Sequence, residues 1–487
     1  MGDTAEGQDG DPTDSATKGD LQIVEIVPDG DIVLDVTFEA SRETLKAARK
    51  AARPRPGQKP APPPAPEARH RVGYRAKLAV LKQSSKYFDN LLNDTRFAEA
   101  RAIETGFQQL SLRNVNPSEA DAAELPVVKI HEDDEATRSA GQHAVFEDML
   151  RILHKRPPAA SGTVTMQYLA VLAVLSDRFD CTATVSKSQV LKFNWPVTRT
   201  SASRDGPALA KAAEETLRQK ILVSWLLDQP LKMQVTTREL IMYGSRRWSA
   251  SFDEEEDGNV DAAAWWDLPD DLERELHYRR ECILNTIASV QRHFLQLYTS
   301  RTRQCKLGYD SSASCDSYQL GEMVKFLASR DLLFLADFSS LSPDATRRDY
   351  ATVDIGQILA ALKQCPSYQI DKNHTNCGLR TRILPIVEYI QAMLSSSVVF
   401  ISRRAWSRDR RATAWCPQEE ADERAEPRVF RFTRSMAAEQ RLRYEGAMGL
   451  DNAAKALFTA DRWDWTPEDR DESRGAEFGR WPGRLVD

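Results

Sequence analysis

The chain has 487 residues, 28% of them charged and 41% hydrophobic, with a formal net charge of −6. That balance fits a chain with ordinary cores and polar surfaces, and it excludes a nucleic-acid binder that works through bulk positive charge. The best apolar run, Tyr168 to Leu175, falls far short of the ~20 residues a bilayer span needs, so no membrane partner is expected.

Residues 1–19 are small, polar and acidic, and the N-terminus through residue 28 is expected to be disordered. Ile32, Leu34, Val36 and Phe38 then alternate with more polar positions, the period of a half-buried strand. Residues 41–71 read as a low-complexity insertion, first rich in Arg and Lys, then a polyproline-like run from Pro54 to Pro66 that lengthens a loop. From Tyr74 to Phe88 a strand hands over to one amphipathic helix, with Leu81, Ser84, Phe88 and Leu91 at helical spacing. Ser84 and Ser85 are small enough to let that helix sit close to a neighbour. Leu81, Phe88, Leu91 and Leu92 are the expected core or dimer-face residues.

Residues 93–124 read as loop, Val127–Ile130 as a short strand, and Glu132–Glu135 as an acidic lead into a helix. Val145, Met149 and Ile152 make the stripe of a helix over 144–154. There His154, with Lys155 and Arg156, is expected to supply positive charge at the C-terminal dipole. Met166 to Phe179 is apolar nearly all round, the mark of a buried helix.

A helical extension over 183–250 follows, with Leu217, Ile221 and Trp225 on one face. An acidic linker over 251–266 separates it from a helical C-terminal domain over 267–400. Pro269, Asp270 and Asp271 mark that domain's first turn, and helices are expected over 276–299, 319–328, 355–363 and 379–394. Residues 401–487 read as a weakly ordered tail, with a solvated basic run over 403–411 and one helix over 437–457.

Seven cysteines, odd in number and unevenly spaced, do not build a secreted disulfide framework. With no signal peptide visible, the expected location is intracellular, cytoplasmic and/or nuclear. No phosphate loop, nucleophile elbow, His-Glu-x-x-His or Cys-x-x-Cys is present, so an enzyme is not expected. One constellation stands out. Cys305 and Cys315 flank a polar loop, and His374 and Cys377 follow just before a helix, with Cys365 as an understudy. Cys305, Cys315, His374 and Cys377 could form a tetrahedral Cys3His zinc site, structural because all four positions come from protein. The alternative is a set of buried thiols, since cysteine is among the most buried residue types.

Several of these words resemble the BTB/POZ domain, a protein-interaction fold. Tyr74-Arg-Ala-Lys-Leu-Ala-Val-Leu81 resembles its strand-to-helix turn, Ser85-Lys-Tyr-Phe88 its Ser-x-Tyr-Phe, and Phe97-Ala-Glu99 its Phe-x-Glu. Phe146 to His154 and Leu172 to Cys181 are similar to two of its later helices. The resemblance covers about residues 29–182 less the insertion. Lys77 and Lys86 stand where the family carries His and Pro, and the insertion would hinder strand exchange between copies. Leu268–Leu272, Cys315, Leu320-Gly321 and His374-x-x-Cys377 resemble the C-terminal half of a group of fungal BTB-domain proteins.

The fold class implied is α+β: a small BTB/POZ-like sheet flanked by helices, then a mainly α-helical region and the tail. The function implied is that of a protein–protein interaction scaffold or adaptor, with a second copy of the chain or a cullin of a ubiquitin ligase as partner. A transcription-related scaffold is the alternative, and direct DNA reading is not expected because no zinc-finger spacing appears. A metal-dependent enzyme at the Cys/His cluster would need an open coordination position and a base, for which Asp310, Asp316 and Asp371 are the candidates.

Overall fold

The computed structural model describes residues 21–51, 67–159, 164–192, 194–197, 211–249, 263–305, 307–336, 350–374, 377–395 and 399–416. The proline run, the acidic stretch at 253–258, the helix expected over 437–457 and the rest of the tail lie outside the described residues. The fold is α+β, with one four-stranded mixed sheet and mostly helices elsewhere. Two compact units divide the chain, Met1–Phe193 and Asn194–Asp487. Residues 211–249 therefore cluster with the C-terminal helices.

In the first unit the strands are β1 (Ile23–Glu25), β2 (Ile32–Glu39), β3 (Arg69–Ala76) and β4 (Val127–Asp133), in the order β1-β3-β2-β4. β2 runs antiparallel to β3, with Leu34 opposite Tyr74, and parallel to β4, with Val36 opposite Ile130. Flanked on both edges, β2 is buried on both faces from Ile32 to Val36. It is not the half-buried strand its alternation predicts. Even Asp35 is buried, because Arg71 on the neighbouring strand donates to both its carboxylate oxygens at 2.8 and 2.6 Å. The half-buried strand is β4, whose residues alternate exposed and buried from Val127 to Asp133. Glu132 and Asp133 belong to this strand, so they do not lead a helix.

β1 falls within the stretch expected to be disordered. Residues expected as insertion form helix α1 (Arg42–Ala51), entered through Ser41, whose hydroxyl accepts from the Thr44 amide at 3.3 Å. The Ala, Lys and Arg content that reads as low complexity is also strong helix-forming composition. The expected single helix after Tyr74 is two, α2 (Leu78–Ser84) and α3 (Lys86–Asn93), because Ser85 adopts an extended backbone and caps the second. Its hydroxyl accepts from Phe88 N at 3.1 Å and donates to Phe179 O at 2.6 Å. Leu81, Phe88 and Leu92 are buried, and Leu91 is partly so.

The expected loop over 93–124 contains the fifteen-residue helix α4 (Ala98–Leu112). It approaches the start of β4 so closely that a Cβ at Gly106 would meet Pro126 Cγ at 2.6 Å. Helices α5 (Gln142–Leu153), α6 (Met166–Arg178) and α7 (Thr182–Val185) complete the unit. Phe38, Phe146, Phe179 and Phe88 form a chain of ring contacts, 5.6, 5.2 and 5.4 Å between centroids, that ties β2 to α5, the C-cap of α6 and α3. His154 is no dipole cation. Burial lowers its pKa, its Nδ1 meets Leu150 O at 2.8 Å, and its Nε2 accepts the Lys77 amide at 3.1 Å.

The second unit is helical: α8 (Lys211–Leu226), α9 (Pro230–Tyr243), α10 (Leu272–Thr299), α11 (Ser312–Ser329), α12 (Ile355–Lys363), α13 (Leu379–Ser395), α14 (Arg403–Arg408) and α15 (Arg410–Thr413). One apolar core runs from Leu217 on α8 through Ile283 and Ile287 on α10 to Trp406 and Trp415. Trp265 and Trp266, expected in the acidic linker, are fully buried. Helix α10 starts after Asp270 and Asp271, both at positive φ, so Pro269 precedes the first turn instead of occupying it. Residues 401–416, expected as weakly ordered tail, are pinned by buried ions. Arg279 donates to Glu275 at 2.6 Å and to the carbonyls of Val399, Phe400 and Thr413 at 3.1, 2.9 and 3.0 Å. Glu275 in turn accepts the amides of Trp415 and Cys416 at 2.8 and 3.0 Å.

Candidate metal centre

Two loop-to-helix passages of the second unit converge on one point. After α10 ends, the chain turns through Gly308 (φ +78°), a left-handed position that glycine adopts without strain. Cys305 lies in this passage, held by Asp316, whose carboxylate accepts the amides of Gln304 and Cys305 at 2.6 and 3.0 Å. Cys315 sits in the first turn of α11, since that helix starts at Ser312, several residues before the start expected from periodicity. His374 and Cys377 precede α13, in a turn where the Asp371 carboxylate accepts from Asn373 N at 2.8 Å and Cys377 N donates to His374 O at 3.4 Å.

Cys305, Cys315, His374 and Cys377 each offer one ligand atom, and these atoms all lie within 4.8 Å of one another. Cys305 Sγ is 3.8 Å from Cys377 Sγ, and each of the two sulfurs is 3.5 Å from His374 Nδ1. A tetrahedral metal with Zn–S of ~2.3 Å and Zn–N of ~2.1 Å would set S···S near ~3.8 Å and S···N near ~3.6 Å. The donor set and its spacing fit a metal ion. Cys305, Cys315 and His374 are buried, and Cys377 is partly exposed.

The imidazole is aimed by its surroundings. With Nδ1 facing the thiols, His374 Nε2 lies 3.0 Å from Ser311 Oγ, and that hydroxyl also donates to Asp371. Ser311 occupies the N-cap position of α11 yet makes no side-chain cap bond, because its hydroxyl is turned to this His–Ser–Asp chain. Such outer partners fix the ring orientation and raise ligand basicity. Hydrogen bonding from Ser311, with smaller help from the imidazole, holds the Asp371 carboxyl below its ordinary range.

The thiols share charge unequally. Burial acts to raise Cys305, but hydrogen bonds from Ser312, the Leu307 backbone and the neighbouring thiols outweigh it and bring its pKa down. Burial, then the adjacent Cys377 and Cys305 charges, push Cys315 far up. A cation among them would relieve that repulsion.

Cys365, the understudy, stays outside the group. It is a buried thiol pushed up to about 11 by burial, with Sγ 3.7 Å from Pro366 O. Cys181 and Cys282 are buried in their own cores. Of the three carboxylates considered as bases, Asp316 is spent on the Cys305 loop, Asp371 on Ser311, and Asp310 is exposed. Residue types alone did not identify Ser311 and Asp316 as supports. The legible trace of the outer chain was Asp371-x-x-His374, a spacing common in ordinary turns.

Among the described residues no helix is long and apolar enough to cross a membrane. No family model, curated protein or solved structure matches the chain.

Proposed function

We propose that this protein is a non-enzymatic interaction scaffold, with a BTB/POZ-like N-terminal domain and a helical C-terminal body clamped by one structural zinc ion. The carrying observation is that the Cys305–Cys315–His374–Cys377 cluster gathers four protein donors within 4.8 Å of one another, with Cys305, His374 and Cys377 at tetrahedral spacing. Four protein ligands leave no position for water or substrate, so the ion would hold chain segments together and perform no reaction. Thiolates with one imidazole favour zinc over magnesium or calcium, which take oxygen ligands.

The interaction reading draws support from element order. β2, β3, the α2–α3 pair, β4, α5 and α6 follow one another as the BTB resemblance implies, with α1 and α4 inserted between them. In Ser85-Lys-Tyr-Phe88 the serine caps α3, Phe88 enters the core, and Tyr87 is left 36% exposed beside it. Tyr87 and the 43% exposed Phe97 offer apolar surface to a partner protein, with a cullin the first candidate and a second copy of the chain the next.

The test uses the full-length chain and a purified cullin N-terminal domain, with light scattering on the same sample. Saturable binding at micromolar concentration or below, weakened by Tyr87→Ala, supports the adaptor. Absence of binding by folded protein refutes the ligase role and leaves the transcription-related scaffold. A doubled mass without cullin identifies a homodimer.

A further inference from the structure

Two of the four ligands differ from the others in a way that metal binding alone does not use. Cys305 and Cys377 lie in the passages between helices, whereas Cys315 is fixed within the first turn of α11. Their sulfurs are 3.8 Å apart, and Cys377 is the partly exposed member of the cluster. A disulfide needs ~2.05 Å, so the pair must close by under ~2 Å, a shift that loop residues make more easily than a residue locked in a helix.

We propose that Cys305 and Cys377 form a redox couple: a hydroperoxide oxidises them to a disulfide, and the metal is released. The inference rests on the zinc reading above for its second half only. In the first step the partly exposed Cys377, as thiolate, attacks one peroxide oxygen. An S–O bond forms, the O–O bond breaks, and the departing alkoxide or hydroxide takes a proton from solvent. In the second, Cys305 Sγ attacks the Cys377 sulfenic sulfur. The S–S bond forms, the S–O bond breaks, and hydroxide leaves as water after taking a second proton. Two electrons pass from the two sulfurs to the peroxide. Cys315 and His374 then remain as two ligands, too few to retain zinc against water. A thiol reductant with added zinc reverses the change.

The experiment treats full-length reduced protein, zinc-loaded and chelator-stripped in parallel, with stoichiometric hydrogen peroxide. Disulfides are mapped by differential alkylation and mass spectrometry, and zinc release is followed with a chromogenic chelator. The expected result is a Cys305–Cys377 link in both samples and one zinc released per link, restored by dithiothreitol and zinc. Cys377→Ser should abolish the link, while Cys416→Ser, outside the cluster, should leave link and release unchanged. A different pairing, or peroxide consumption with Cys305 and Cys377 still reduced, overturns the proposal. A chain that holds no zinc yet forms the link refutes the zinc reading and keeps the couple. A chain that holds zinc and forms no link does the reverse.

Discussion

The two units hold together by different means. In the N-terminal unit, cohesion comes from a strand ladder and a run of phenylalanine rings, with polar groups such as the buried Ser85 and the half-buried His154 bonded to nearby backbone. In the C-terminal unit the helices share an apolar core, but the segments between them are fastened by buried polar chemistry. Arg279 and Glu275 hold 399–416, Arg280 caps α9 through the carbonyls of Ile241 and Met242 at 2.8 and 3.1 Å, and the Cys/His cluster joins two passages. Apolar packing specifies a face. Buried ions and ligands specify a point, which irregular segments need because they have no periodic face to bury.

Breaking one device in each unit sharpens that contrast. The largest effect is expected from Arg279→Leu, which takes the guanidinium from Glu275 and strips three carbonyls of their donor. Removing one partner of a buried pair costs about 3–5 kcal/mol. Hydrogen exchange read peptide by peptide should show lost protection over 399–416 and little change in β2 and β3. Phe179→Ala is the counterpart, expected to cost about 3–4 kcal/mol through the cavity it leaves among Phe88 and Phe146. Its lost protection should fall in α3, α5 and α6.

A smaller, pH-dependent effect is expected at Glu281 on α10, which burial pushes up to about 7. Its pKa in the unfolded chain is lower, so between the ordinary carboxyl range and pH 7 the folded state binds the extra proton. Stability from this group is therefore present in acid and falls as pH rises toward 7. Glu281→Gln, neutral throughout, should match the parent near pH 4 and exceed it by about 3 kcal/mol at pH 8, by urea unfolding at both values. The neighbouring His277, brought down to about 4 mainly by burial, works in the opposite sense over pH 4 to 6.5. Equal behaviour of parent and variant at pH 8 would place Glu281 in water. The smallest effect, about 1 kcal/mol, is expected for Ser85→Ala, which removes the cap of α3 and its bond to Phe179 O.

Legibility in the sequence follows the same division. Elements with a clear apolar run or face, such as β2, α5, α6 and α10, were visible because their apolar residues report burial directly. Helices α1 and α4 were not, because one is a run of charged and small residues and the other buries only Ala100, Ile103 and Leu110 in fifteen positions. Trp265, Trp266, Trp406 and Trp415 lie in acidic or arginine-rich stretches, where local charge hides an aromatic core residue. At the cluster, residue chemistry pointed to the four ligands, since Cys and His are the types that bind zinc. The start of α11 and the diversion of Ser311 from capping arise from contacts across some sixty residues of chain, which no local window contains.

The most direct test of the account is the metal content of the full-length chain, purified under reducing conditions with zinc supplied, by native and elemental mass spectrometry. One tightly held zinc per chain is expected, absent from Cys315→Ser and retained in Cys365→Ser. A reduced, folded chain without zinc, or zinc retained after loss of Cys315, would contradict it.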